Sequence, residues 1–405
     1  MAGLSLSLLL VAGLLAWVVL DDDPYVARPP GTSRGEARPG AASEALGLLQ
    51  RAVADRDAAA VRDLVPAGRP PTRLEAVVAN ARRLDVRDFR LRYVDEEGAV
   101  AADGSWSAAV DTTWAFGGFD RAPAHAEVTV RFGVEGGRVV VLGLGGAGRR
   151  TPIWLAGPVR VSRTPQTLVL LAGGGSQGSR TLARYAARAR AAVPVVRRVL
   201  PGWRPRLVVE VPASAAALDR TLGAEAGEYA GIAAVTTTAD GTLDRGAPVH
   251  IFVNPAVFGD LRPAGAQVVM SHETVHVATD AARSTVPLWL LEGFADYVAL
   301  RDVHLPLATT AGQVIRQVRR DGLPTALPGA EEFDTAAPHL GAAYEAAWLA
   351  CRELVDLGGE RRLVRFYAAV DDGAPVGRAL RASFGLDTRA FTHRWRARLR
   401  DVAAR

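Results

Sequence analysis

Two apolar stretches constrain this chain more than any other feature. Residues 268–281, "VVMSHETVHVATDA", and residues 287–300, "PLWLLEGFADYVAL", each read as a helix built for a core, yet they carry His272, Glu273, His276, Glu292 and Asp296. A buried carboxylate without a partner is costly, so a fold that buries both stretches must supply partners for these groups. Neither Gly nor Pro interrupts the first stretch after Val268, and the second has Pro287 at its start, where a helix tolerates it.

A helix advances about 100° per residue, so His272 and His276 project from one face, one turn apart, at a separation that a single metal ion can bridge. Glu273 lies beside that pair. A catalytic zinc ion normally has three protein ligands and one open position. A third histidine six residues after His276, following a glycine, would mark a metzincin; Thr279 and Ala282 stand at the key positions, which excludes that class. Glu292 and Asp296 are four apart and share a helical face. With Glu292 as third ligand, Asp296 is free to accept the N–H of a ligand histidine. Gly293 removes a side chain where the two helices must approach closely. The competing reading of the first stretch is a core helix with two satisfied histidines.

HExxH followed by "WLLEGFADY" resembles the gluzincin branch of zinc metallopeptidases, and within it the peptidase MA-like domains of bacterial secreted and membrane proteins, over residues 159–405. The resemblance implies a zincin-like domain with Zn2+ held by His272, His276 and Glu292, and with Glu273 as general base. It also implies Tyr344 as the donor to the developing oxyanion, with His339 as second choice, and a peptide or protein substrate. The gap between His276 and Glu292 is shorter than in thermolysin, so the loop "VATDAARSTV" must be tight and thermolysin's substrate preferences do not carry over. Two other functions stay open. One is a non-cleaving zincin-like binding or scaffold protein at the cell envelope; the other is a metal-dependent hydrolase of a non-peptide bond.

A chain of 405 residues suggests two or three domains. The charge of +5 and pI near 9.8 could suggest nucleic acid, but all 48 basic residues are arginine, scattered among 43 acids, and no nucleic-acid-binding signature occurs. Solvated surface explains them, and no nucleic-acid partner is expected. The single Cys351 excludes an internal disulfide and any CxxC metal site.

Residues 2–20, "AGLSLSLLLVAGLLAWVVL", carry no charge and would form a helix of about 28 Å, close to the hydrocarbon thickness of a bilayer. Asp21, Asp22 and Asp23 stop the run. No basic segment precedes it and no small-x-small cleavage site ends it, so an uncleaved single-pass transmembrane anchor is expected, with a flexible linker at residues 21–42. Arg28, Arg34 and Arg38 would hold the body in the cytoplasm by the positive-inside rule. The acids nearest the membrane and the resemblance to exported domains favour an extracellular body at the cell membrane.

Residues 43–146 read as short helices followed by strands: "FRLRYV", "WSAAVDTTWAF", "AHAEVTVRFGV" and "RVVVLGLG". Helices and then a sheet make a small α+β domain, which resembles the cone-shaped nuclear-transport-factor-like group. His125 is a structural residue there. Beyond residue 159, "RLVVEVP" and "APVHIFVNP" read as strands, the latter as the sheet edge above a cleft where an extended peptide could add, with His250 as an ordinary sheet residue. "AAYEAAWLACRELVDLGG" reads as a helix whose stripe of Tyr344, Trp348, Cys351 and Val355 is mainly core. The expected fold class is α+β throughout.

Overall fold

The computed structural model describes residues 36–404, apart from 71, 147, 335 and 336. The anchor expected at residues 2–20 lies outside them, as does most of the linker. Among the described residues, no helix is long and apolar enough to cross a membrane.

The chain is mixed α+β: an N-terminal antiparallel sheet with two helices, a mixed sheet, and a mainly helical C-terminal region. Helix α1 (Pro39–Asp55) begins with proline in its first turn and buries Ala42, Ala45, Leu46, Leu49, Ala52 and Val53, the spacing of one helical face. Helix α2 (Thr72–Leu84) follows. Strands β1 (Val86–Glu97), β2 (Trp106–Phe116), β3 (Ala124–Glu135) and β4 (Arg138–Leu144) then form a four-stranded antiparallel meander. A register shift between Arg87 and Arg90 marks a bulge in β1, where Asp88 adopts a positive φ of 54°.

The second sheet has the order β5-β6-β7-β9-β8. Strand β5 (Val159–Arg163) pairs antiparallel with β6 (Thr167–Ala172), and helix α3 (Gly178–Val199) makes the crossover to β7 (Leu207–Val211), which is parallel to β6. After α4 (Ala215–Leu222), strand β8 (Ala234–Thr238) forms a hairpin with β9 (Val249–Val253), and β9 inserts beside β7 in parallel. The edge of the sheet on this side is therefore β8, the opposite edge being β5. The stretch "APVHIFVNP", expected at the edge, forms β9 instead and is paired on both sides.

Strands β6 and β7 are buried along almost their whole length because both sheet faces are covered. Val169, Leu171, Val209 and Val211 pack with α3 residues Ala189 and Val193, whereas Leu168, Leu170 and Val208 share a core with Leu46, Val77, Trp114 and Phe116 of the N-terminal unit. The two units thus have one continuous core on that side. Asn80 of α2, fully buried, fastens the connection: its amide nitrogen donates to the carbonyls of Trp154 and Gly157 at 2.8 Å, and its oxygen accepts the N–H of Val159 at 3.1 Å.

The chain then enters the helical region: α5 (Pro263–Ala278), α6 (Leu288–Leu300), α7 (Gly312–Asp321), α8 (Leu340–Gly358), α9 (Glu360–Asp371), α10 (Val376–Phe384) and α11 (Thr388–Ala404). Their core gathers Leu290, Phe294, Val298, Ala347, Leu354, Phe366 and Trp395.

An ionic group is sealed between the two sheets. His250 of β9, 1% exposed, meets Glu210 of β7 at 2.7 Å through Nδ1 and Asp120, from the turn after β2, at 3.0 Å through Nε2. Phe116 stacks on its ring at 5.5 Å. Burial alone would push the imidazole pKa down, but the two carboxylates overcome this and raise it to about 10. His250 is therefore a buried cation with a carboxylate on each nitrogen rather than an ordinary sheet residue. A base whose pKa is raised on folding contributes its stability in full below its unfolded value, 6.5, and loses it as pH climbs towards about 10. The melting temperature of the wild type should exceed that of His250→Gln most at pH 6.5, with the gap narrowing up to pH 10. A gap constant over that range would mean that His250 is not charged in the folded protein.

Candidate metal centre

Helix α5 has Pro263 in its first turn, and by its C-terminal half it is enclosed on every side, with each residue from Met270 to His276 buried. Met270 and Ala266 pack under β9 with Ile251 and Val253, while Val275 joins the helical core. The Thr274 hydroxyl turns back to the Met270 carbonyl at 2.7 Å, which lets a polar side chain sit in this enclosure. The link to α6 is tight: Asp280 takes a left-handed φ of 53° and a single turn, Ala281–Arg283, follows. Arg283 ties it down by donating to Asp280 and to the carbonyls of Asp244 and Ala247 in the β8–β9 connection.

Helix α6 starts after Pro287 and faces α5 with Glu292 and Asp296. Its depth is set from the other side. A Cβ on Gly293 would lie 2.3 Å from the carbonyl oxygen of Ala347, so α6 and α8 touch backbone to backbone at this point. The close approach expected between the two motif helices is made with α8 instead, and it is α8 that requires glycine here.

His272, His276 and Glu292 converge. Nε2 of His272 lies 2.9 Å from Nε2 of His276, and Oε2 of Glu292 lies 3.0 and 3.2 Å from these two nitrogens. Together they form a buried group able to hold a metal ion. Three ligands of a tetrahedral zinc ion, each about 2.0–2.1 Å from it, stand roughly 3.3 Å apart, so the observed triangle is slightly contracted from that geometry. Two imidazoles and a carboxylate are also a donor set that zinc accepts. Asp296 accepts from Nδ1 of His272 at 2.7 Å, which fixes the ring and directs Nε2 into the triangle.

The side chains of the cluster are electrostatically coupled. Burial alone would lower the pKa of His272, yet Asp296 and Glu292 hold it well above the ordinary histidine value. Burial would raise the pKa of Glu292, yet His276 and His272 hold it far below the carboxylate range. A metal ion held by these groups would have to displace any proton that they share.

Glu273 is not one of the three converging groups; its Oε2 accepts from the hydroxyl of Thr236 in β8 at 2.6 Å. Nothing in the sequence singled out Thr236, one of three consecutive threonines in a strand. Tyr344 stands beside the cluster, its ring 6.1 Å from that of His272 and edge-on to Phe333 at 5.2 Å. Burial, and then the negative charges of Glu292, Glu273 and Asp296, raise its pKa, so the phenol remains a neutral donor. His339 does not join the group; it is exposed, with Nε2 facing Arg320 at 3.1 Å. His125 is also remote, its Nδ1 within 3.1 Å of the Thr113 hydroxyl. Cys351 is buried behind Gly293, where burial and the nearby Asp296 carboxylate raise its thiol pKa.

No protein-family model matches the chain, and no curated protein matches it. The buried triad compatible with an HExxH…E zinc site rests on the chain's own geometry.

The full-length protein should bind about one zinc per chain by elemental analysis, because three donors meet at one point. His272→Ala and Glu292→Ala should each lose most of it. Asp296→Asn, which disturbs only the support of His272, should fill at saturating zinc but bind about 10- to 100-fold more weakly. Loss as complete as in His272→Ala would make Asp296 a ligand.

Proposed function

We propose that the chain is a zinc-dependent peptidase of the gluzincin type, with a peptidase MA-like catalytic body held at the cell membrane by residues 2–20. The observation that carries this reading is the convergence of His272, His276 and Glu292 with a carboxylate, Glu273, next to them on the same helix and facing the sheet edge. Its support at the membrane is the uncharged N-terminal run alone.

Zinc bound by the triad would supply Lewis acidity, lowering the pKa of water and polarising a substrate carbonyl. The remaining steps fall to side chains. Glu273 takes the proton from the attacking water and delivers it to the departing amine, the two-way role that a carboxylate beside the reacting centre can fill. The phenol of Tyr344, kept protonated by its surroundings, donates to the oxyanion that develops on the substrate carbonyl. Asp296 holds His272 in the tautomer that leaves Nε2 free as a ligand. The outer edge of β8 pairs with no other strand among the described residues, and an extended peptide can add to it in front of Glu273.

Cleavage of a mixed peptide library by the wild type and by Glu273→Gln tests the reading. The variant should keep its zinc and lose at least about 100-fold in turnover, since it removes the base and leaves the cage intact. Tyr344→Phe should keep zinc and lose about 10- to 100-fold in kcat with little change in KM. Equal and negligible cleavage by wild type and Glu273→Gln, with zinc bound in both, would favour a non-cleaving binding protein instead.

A further inference from the structure

The side chain that holds Glu273 belongs to neither motif helix. Thr236 lies at the middle of β8, opposite Ile251 of β9, and its hydroxyl stands 2.6 Å from Oε2 of Glu273 and 3.2 Å from the backbone carbonyl of the same residue. A hydroxyl has one proton to donate, and the shorter contact, to the charged oxygen, takes it. The position of the Glu273 carboxylate therefore depends on the position of β8.

An edge strand is paired on one side only, so β8 could drift with its hairpin unless something holds the hairpin from behind. The N-terminal unit does so at two places. Asp120 grips His250 of β9, the residue paired with Thr237 of β8, and His250 is braced on its other nitrogen by Glu210 of β7. Just past the end of β8, Asp240 accepts the backbone N–H of His125 at 3.1 Å, and Ala239 is buried in the core of the N-terminal unit. Arg283, from the loop that joins the motif helices, holds the far end of the hairpin through the carbonyls of Asp244 and Ala247. The strand alternation makes this useful: Thr237 and His250 face the N-terminal unit, so Thr236 faces α5.

We infer that Thr236 is a positioning residue for Glu273, and that the N-terminal sheet unit takes part in the reaction by clamping the β8–β9 hairpin that carries Thr236. The first unit is then a fixed support of the site, in contact with the side of the sheet opposite the reacting groups. The inference rests on the peptidase reading for its consequence in turnover, and on packing alone for the clamp.

The test uses the full-length protein with three readouts: zinc content, kcat and KM on a peptide cleaved by the wild type, and amide hydrogen exchange of residues 234–238 without substrate. Thr236→Val should hold about one zinc and lose about 10- to 100-fold in kcat with KM within about twofold, since a misplaced base weakens the chemical step rather than binding. Thr236→Ser, which restores the hydroxyl, should recover most of that loss. Asp120→Ala should speed exchange in residues 234–238 and lower kcat with zinc retained; Asp240→Ala releases the other end and should act in the same direction if Asp120→Ala does not fold. Wild-type kcat in Thr236→Val, or a loss that serine does not rescue, overturns the positioning role. Unchanged exchange in both clamp variants overturns the clamp whatever the activity, and faster exchange with wild-type kcat overturns its link to the base. Equal hydrolysis by wild type and Glu273→Gln strikes the peptidase reading instead, and the exchange result still decides the clamp.

Discussion

The second half of the molecule is organised by the requirement that ionisable groups buried in apolar helices compensate one another. His272, Glu273, His276, Glu292 and Asp296 sit on helices whose remaining surfaces are committed to cores, so water is not their main partner. They are satisfied as a chain: Asp296 to His272, His272 to His276 and Glu292, and Glu273 to Thr236. Removing one member of such a group leaves a buried charge unpaired, at a cost of about 3–5 kcal/mol, so the relative placement of α5, α6 and the sheet edge is held by electrostatics as well as by packing. The backbone contact of Gly293 with Ala347 sets the depth at which α6 can present its acids.

The same physical solution appears twice. At His250 a buried imidazole bridges two carboxylates between layers, and at His272 a buried imidazole bridges two carboxylates within one. They differ in what stands next to them. His250 has aromatic rings beside it and no second imidazole, so its two acids exhaust its nitrogens; His272 has the nitrogen of His276 within 2.9 Å. One arrangement is complete with a proton, whereas the other has the donor geometry for a metal ion.

What was legible in the sequence follows from how local each relation is. His272 with His276, and Glu292 with Asp296, are helical neighbours whose faces follow from the 3.6-residue period. The four strands of the first sheet could be read because antiparallel strands joined by tight turns alternate or end at Gly and Asp. Sheet order in the second unit could not be read, since a crossover helix lets β9 insert between β7 and β8 with no local trace, and the edge position was therefore given to the wrong strand. Gly293 was visibly a contact residue, but its partner lies on a helix that begins only at Leu340. Thr236, Asp120 and Glu210 have no periodic signature; their importance comes from partners far away in the chain, and only the assembled fold brings them together. Tyr344 was reached through family resemblance, because core packing explains its helical stripe equally well.

The continuous core between the first and second sheets bears on how a chain like this can be rearranged by recombination. Leu168, Leu170 and Val208 present an apolar face that the N-terminal unit covers, and Asn80 satisfies the backbone of the connecting segment. A gene fragment that began at the second sheet would expose that face to water, at about 25 cal/mol for each Å2 uncovered, and would offer neighbouring copies a sticky plane beside an unpaired strand. Shuffling at this junction would yield a protein prone to self-association, so the helix-and-sheet unit and the motif helices are expected to travel through descent as a single inherited block.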